Sequence, residues 1–279
     1  MSGPIPESWV LVHPYLRPMA DLWSRLEAAL SELPVPPVPV PAWEAYRAEY
    51  EEGVPLLASA SAPVDLTPAG PLIAALVGKL GADPLPGPLG GEVASLSTGL
   101  LRDPQLSRRS VAWLVGDDGW QPPSPGLVRF FGWTVLARYL APIVEAFGAW
   151  RNEERWLRRY CPTCGSAPAM AQLAGVDPAR QRLLSCGCCA TRWRYRRTQC
   201  PFCENDAHRL SGIKVDGEAG LRIDHCEACG GYLKTYEGQG QEPLLLADWT
   251  SLHLDLLAHE RGLKRQAASL YDVESLVGA

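Results

Sequence analysis

The first 150 residues read as a series of helical stripes punctuated by prolines. From Met19 to Leu33, Leu22, Trp23, Leu26, Ala29 and Leu30 recur at helical spacing, and Pro34, opening the run PVPPVPVP, stops the pattern. Ala42 to Glu52 places Trp43, Tyr46 and Tyr50 on one face. Thr67-Pro68 offers a cap and first-turn pair for a helix through Leu80 that ends at Gly81, and segments 90–101 and 104–115 predict two more short helices. Gly126 to Trp150 is the longest periodic stretch. Its Phe130, Phe131, Val135, Leu136, Tyr139, Ile143, Val144 and Phe147 form the broad apolar face of a central core helix, with Pro142 a point for a kink. Core packing accounts for these stripes, and a stiff connector accounts for the proline run.

From Tyr160 to about Glu237 the period changes. Short β-like runs (Gln181 to Ser185, Arg192 to Arg196, Ser211 to Val215, Leu221 to Asp224, Tyr232 to Tyr236) alternate with cysteine-bearing turns. After Pro243, the spacing of Leu246, Trp249, Leu252, Leu256 and Leu257 predicts a helix ending near Gly262.

The cysteines give the second half its chemistry. All nine lie between Cys161 and Cys229, and eight form four Cys-x-x-Cys pairs: Cys161/Cys164, Cys186/Cys189, Cys200/Cys203 and Cys226/Cys229. The first two pairs are separated by 21 residues and the last two by 22, so one unit occurs twice, with the spacing of a four-thiolate metal site on two knuckles. A two-residue spacer lets the backbone wrap one ion while nearby N–H groups offset the thiolate charge. Gly165 and Gly230 follow the second cysteine of their pairs, where a positive φ suits glycine; Ala190 and Glu204 stand at the equivalent places. Zinc and a single iron fit such a site equally well, and a redox dithiol normally stands alone in a βαβ setting that is missing here. Cys188 is left over. It can act as a Cys-x-Cys partner of Cys186, as a spare thiol or as a competitor for metal, but Cys189 keeps the common spacing. His208 and His225 lie near the pairs, yet four thiolates per site leave them no required ligand role.

The fold class expected is thus α+β. A helical domain (1–157) precedes two tandem rubredoxin-like, zinc-ribbon-type β-hairpin units (158–198 and 199–240), followed by a C-terminal helix and tail (241–279). In 279 residues with 47% hydrophobic content there is material for buried cores, which excludes a disordered chain. No uninterrupted apolar run reaches the ~18 residues of a membrane span, and the N-terminus lacks a leader pattern, so a cytoplasmic location is expected.

Charge divides the molecule. Residues 1–150 carry 9 basic and 15 acidic side chains, whereas 151–240 carry 14 and 10. Arg180, Arg182, Arg192, Arg194, Arg196 and Arg197 have no acid between 178 and 203. These arginines suit an acidic partner or the chain's own acidic half. Nucleic acid, with Trp193 or Tyr195 stacking on bases, ranks lower because the whole chain is at −5.

The stretches CPTCGSAPAMAQL, ATRWRYR, CPFCEN, HCEACGGYLKTY and ADWTSLHLDLLAHERG together resemble the FdhE family, accessory proteins for the formation of formate dehydrogenase. The resemblance covers roughly 125–265. It implies a cytoplasmic, non-enzymatic assembly factor whose rubredoxin-like sites bind iron, zinc being the alternative. It also implies docking on the catalytic subunit of a molybdenum- or tungsten-dependent formate dehydrogenase, with no membrane or nucleic-acid partner and with weak self-association. By position, the metal ligands it implies are Cys161, Cys164, Cys186 and Cys189, and Cys200, Cys203, Cys226 and Cys229. Other readings of the same residues are a redox protein passing single electrons through iron, and a nucleic-acid-binding zinc ribbon.

Overall fold

The computed structural model describes residues 14, 17–81, 89–176, 179–216, 218, 220–238, 248 and 250–268. It has two compact units: Met1–Val40 with Val64–Ile143, and Pro41–Pro63 with Val144–Ala279.

The first unit is helical. Helix α1 (Arg17–Ser31) packs on α3 (Ala69–Gly81), which also contacts α4 (Leu89–Arg102) and α5 (Pro104–Leu114). The predicted stripe of α1 is buried at Leu26 and Leu30, and Leu76 and Val77 from α3 and Leu96 and Leu100 from α4 are buried as well. Each such side chain contributes ~1.5–3 kcal/mol of burial. Asp103 caps α5 by accepting from the Gln105 amide at 2.8 Å, with Pro104 in the first turn. The α3 start differs slightly from expectation. The Thr67 amide donates to Asp65 Oδ1, and the Pro68 carbonyl accepts from Leu72, so the boundary falls one residue later.

Helix α6 (Pro125–Trp150) runs through Pro142, and the boundary between the units falls just after it, between Ile143 and Val144. By length and hydropathy it could cross a membrane, yet 56% of its most apolar window is buried in protein. It lies close to α5: a Cβ added at Gly132 would meet a Leu114 methyl at 2.2 Å, and Trp133 Nε1 donates to the Leu114 carbonyl.

The second unit begins with α2 (Trp43–Glu52). Tyr50 stacks on Trp156 at 5.2 Å, Trp43 on Phe147 at 5.5 Å, and the Tyr160 hydroxyl donates to the Gly53 carbonyl. This aromatic cluster holds α2 against the chain leading into the cysteine region, with the short helix α7 (Glu153–Trp156) between.

A seven-stranded sheet follows, in the order β3-β2-β1-β6-β5-β4, with β7 pairing β6. Its strands are β1 (Pro168–Ala174), β2 (Gln181–Cys186), β3 (Arg192–Tyr195), β4 (Leu210–Lys214), β5 (Leu221–Cys226), β6 (Gly231–Gly238) and β7 (Lys264–Arg265). Within each cysteine unit three strands form an antiparallel meander, and β1 and β6 join the units in parallel, Ala171 opposite Thr235. Since β1 is the first strand of its unit and β6 the last of the other, the two repeats meet head to tail. The outer edge of β3 is occupied by side chains. Glu153 accepts from the Arg194 amide at 3.0 Å, and Arg151 donates to the Arg192 carbonyl.

Helix α8 (Leu252–Glu260) buries Leu254, Asp255 and Ala258, while Leu256 is 45% exposed. The predicted apolar stripe is therefore rotated; Leu246 and Trp249 lie outside the described residues. A charge cluster explains the rotation. Lys234, buried on β6, contacts Asp248 at 2.8 Å and Asp255 at 2.5 Å; Arg265 pairs with both acids, and Tyr232 donates to Asp255. Two cations balance two carboxylates, which is what allows four charges to be largely buried together. Burial pushes the Asp248 carboxyl up, but Arg265 and Lys234 outweigh it and hold it at about 2. Because that value is depressed, its stabilising contribution is full above about pH 4 and is lost as pH falls toward 2.

Replacing the central cation exposes the cost of the arrangement. Lys234→Met is expected to destabilise the second unit by roughly 3–5 kcal/mol, because two buried carboxylates then share one arginine. Denaturant unfolding at neutral pH measures this, and a loss below about 1 kcal/mol would contradict it.

Candidate metal centres

All four Cys-x-x-Cys pairs fold into the same knuckle. The amide of the first cysteine donates to the carbonyl five residues on in three of them: Cys161 to Ser166, Cys186 to Thr191 and Cys200 to Asn205, each at 2.9 Å. A reverse bond from the residue after the second cysteine closes Gly165 onto Cys161, Glu204 onto Cys200 and Gly230 onto Cys226. That residue has a positive φ in every knuckle: 82° at Gly165, 58° at Ala190, 62° at Glu204 and 68° at Gly230. The expectation for the two glycines extends to Ala190 and Glu204. Each of these non-glycine residues carries the left-handed penalty of ~1–2 kcal/mol, which the knuckle geometry imposes.

The knuckles converge in two groups. Cys161, Cys164, Cys186 and Cys189 place their sulfurs within 4.8 Å of one another, and Cys200, Cys203, Cys226 and Cys229 do the same. Individual sulfur separations are 3.5 Å for Cys161–Cys189, 3.3 Å for Cys164–Cys186, 3.8 Å for Cys200–Cys229 and 3.7 Å for Cys203–Cys226. A tetrahedral ion with ~2.3 Å metal–sulfur bonds requires sulfurs about 3.8 Å apart, so both groups fit a tetrathiolate metal ion. No disulfide links these cysteines. Neither His208 nor His225 belongs to either group, and Cys188 lies outside the first one. Its fully buried thiol is hydrogen-bonded to Cys164, which together with burial pushes it up.

Packing four sulfurs into one pocket shapes their protonation. Burial pushes the Cys161 and Cys186 thiols well up, while hydrogen bonding from Cys161 and neighbouring thiols holds Cys164 well down. In the second group burial raises Cys200 to about 12 and lifts Cys229. Burial also acts on Cys203, but hydrogen bonds led by that of Asn205 prevail and bring it to about 6. Full ionisation therefore needs a cation among the sulfurs, and metal affinity must fall as pH falls.

The two centres differ in access. In the first, exposure is 0–8%, and Leu56 and Leu57 on the chain after α2 donate amides to the Pro162 and Thr163 carbonyls at 2.9 and 2.8 Å. Thr163 and Thr191 hydroxyls meet beside it at 2.8 Å, and Thr191 also touches Cys189. These partners carry no motif of their own in the sequence. In the second, Cys203 and Cys229 are partly exposed. The amides of Phe202 and Gly231 point at Cys200 and Cys229 at 3.4 Å, and the Asn205 side chain points at Cys203 at 3.3 Å.

The stacking platform that the lower-ranked nucleic-acid reading requires is not formed by Trp193 and Tyr195. Trp193 and Tyr195 are 0% and 2% exposed, donating to the Arg158 and Cys200 carbonyls. Cross-strand packing in the meander buries both rings, since they stand on its inner face opposite Leu184 and Arg182.

No protein-family model matches the chain. It is 34% identical over 163 residues to the protein FdhE homolog of Aquifex aeolicus, a match covering 56% of each chain. It is 32% identical over 141 residues to the protein FdhE of Escherichia coli, covering 49% of this chain and 45% of that one. The matches thus span about half the length of these curated relatives. The crystal structure of the FdhE protein from Pseudomonas aeruginosa aligns over 94% of this chain and 91% of its own, with TM-score 0.65 and 26% identity.

The difference in access predicts ordered metal loss. A chromophoric chelator is expected to take one metal equivalent rapidly from the folded protein, and the second only as the protein unfolds. Cys226→Ser should abolish the rapid phase and leave one equivalent. Simultaneous release of both, or full metal content in Cys226→Ser, would contradict the assignment.

Proposed function

We propose that this chain is a member of the FdhE family and serves the formation of active formate dehydrogenase as a non-enzymatic accessory protein. On this reading Cys161, Cys164, Cys186 and Cys189 hold one metal, and Cys200, Cys203, Cys226 and Cys229 the other. Iron is the metal, the client is the catalytic subunit of the dehydrogenase, and the compartment is the cytoplasm. The observation that carries the reading is the pair of tetrathiolate clusters set in one sheet, in a chain that aligns with an FdhE structure over 94% of its length.

The first centre supports a structural role. Its four cysteines tie the end of β2 and the turn after it to the start of the unit, with α2 and the following chain as its cover, and metal binding there adds directly to folding free energy. The second centre sits near the surface, where a client can approach Cys203 and Cys229. Iron held by four thiolates would supply a one-electron couple at that point. The protein's own contribution is a set of N–H donors at fixed distances from three of the four sulfurs, which stabilise the anionic ligand shell. That exposure favours a second reading, electron delivery to the client.

Two measurements test these readings. In a bacterium deprived of its own family member, this protein is expected to restore formate dehydrogenase activity and to co-purify with the catalytic subunit; normal activity without any family member would overturn the assembly role. A red sample bleached by dithionite supports iron and the electron-transfer reading. A colourless, zinc-loaded protein that still restores activity would remove that reading and retain the assembly role.

A further inference from the structure

The arginine-rich segment lines two adjoining hollows on the second unit. The larger, about 550 Å³, is walled by Arg180, Arg182, Arg194, Arg196 and Arg197, with Glu154 as the one acid among its described lining residues. The smaller, about 340 Å³, shares Arg182 and Arg197 and adds Lys214 and Arg222, with Asp224 its acid. Both lie apart from the two cysteine groups, whose residues line neither hollow.

Most of these cations are fixed in place. Arg180 and Arg222 both bind Glu237 at 2.8 Å; Arg222 also binds Asp224 at 2.7 Å, and Arg182 reaches the same carboxylate at 3.4 Å. Arg194 pairs with Glu154 at 2.9 Å. Arg196 and Arg197 are different. Both are exposed, and among the described residues they donate to neutral oxygens, Arg196 to Gln199 Oε1 at 3.3 Å and Arg197 to the Arg180 carbonyl at 3.2 Å. A braced wall of guanidinium groups thus presents two forks with no carboxylate partner, and Arg197 stands where the two hollows meet.

We propose that these joined hollows bind an extended acidic polypeptide segment, whose carboxylates pair with Arg196 and Arg197. Guanidinium forks match planar carboxylates in bidentate fashion. Two hollows sharing a wall suit a chain with several charges better than a single small anion. A single-stranded polynucleotide shares the charge but draws further affinity from rings that stack on its bases, and Trp193 and Tyr195 are buried here. The assignment rests on charge and shape alone, so it stands independently of the formate dehydrogenase reading and of the metal.

The test uses the full-length, metal-loaded protein and a fluorescently labelled oligoglutamate peptide, followed by anisotropy at low ionic strength. Binding is expected, weakening as salt is added. Arg196→Glu with Arg197→Glu should reduce affinity by about tenfold or more, with metal content and melting temperature unchanged. Reversing the exposed Arg102 and Arg108 of the helical unit should leave it unaltered. No binding of the peptide, equal binding by the Arg196/Arg197 double variant, tighter binding of a single-stranded oligonucleotide of the same charge, or displacement by equimolar inorganic phosphate would each overturn the proposal.

Discussion

Four sulfurs brought to van der Waals distance cannot all carry charge unless a cation sits among them, and much of the second unit serves that constraint. The knuckles have to turn tightly enough to aim two thiolates at one point. That demand forces a left-handed residue after every second cysteine, including Ala190 and Glu204, where side chains oppose it. The strands that follow are short because each has to return to its partner knuckle within about twenty residues. Once formed, the two centres acquire different surroundings from the chain around them. One is sealed by the segment after α2, and the other remains within reach of solvent.

The same sheet shows two ways of placing charge in a protein interior. Around Lys234 the ions are buried and balanced, two against two, and they fasten α8 and β7 to β6. Around Asp224 and Glu237 Arg182 is buried and Arg180 and Arg222 are half-buried, and these arginines outnumber the acids, leaving a surface with surplus positive charge. The first arrangement spends its electrostatics on holding the fold. The second keeps part of it available to a partner.

Much of this was legible in the sequence, for physical reasons that also mark where legibility ends. Metal-type spacing is local, so the four pairs and their two groupings could be read directly. Helical stripes such as Leu26 and Leu30 or Tyr46 and Tyr50 announced buried faces because water lies on the opposite side. Strand β1 gave no such signal. As a central strand it is buried on both faces from Pro168 to Leu173, so no alternation survives, and its small residues fit no strand pattern. Asp255 misled in the opposite direction: a charged residue belongs to the buried face of α8 only because Lys234, Arg265 and Tyr232 meet it from distant positions. The cover supplied by Leu56 and Leu57 uses backbone amides, which leave no trace in side-chain chemistry.

The head-to-tail joining of the repeats carries a consequence for assembly. A contact between the first strand of one unit and the last strand of another has no built-in end, because every addition recreates the two edges it consumed, and such open contacts generate fibres. Here β4 and β3 are the edges that a further copy would match. Arg151 and Glu153 occupy the backbone groups of β3 that such a copy would need, so at that edge the sheet is closed to a further repeat by side chains of its own chain.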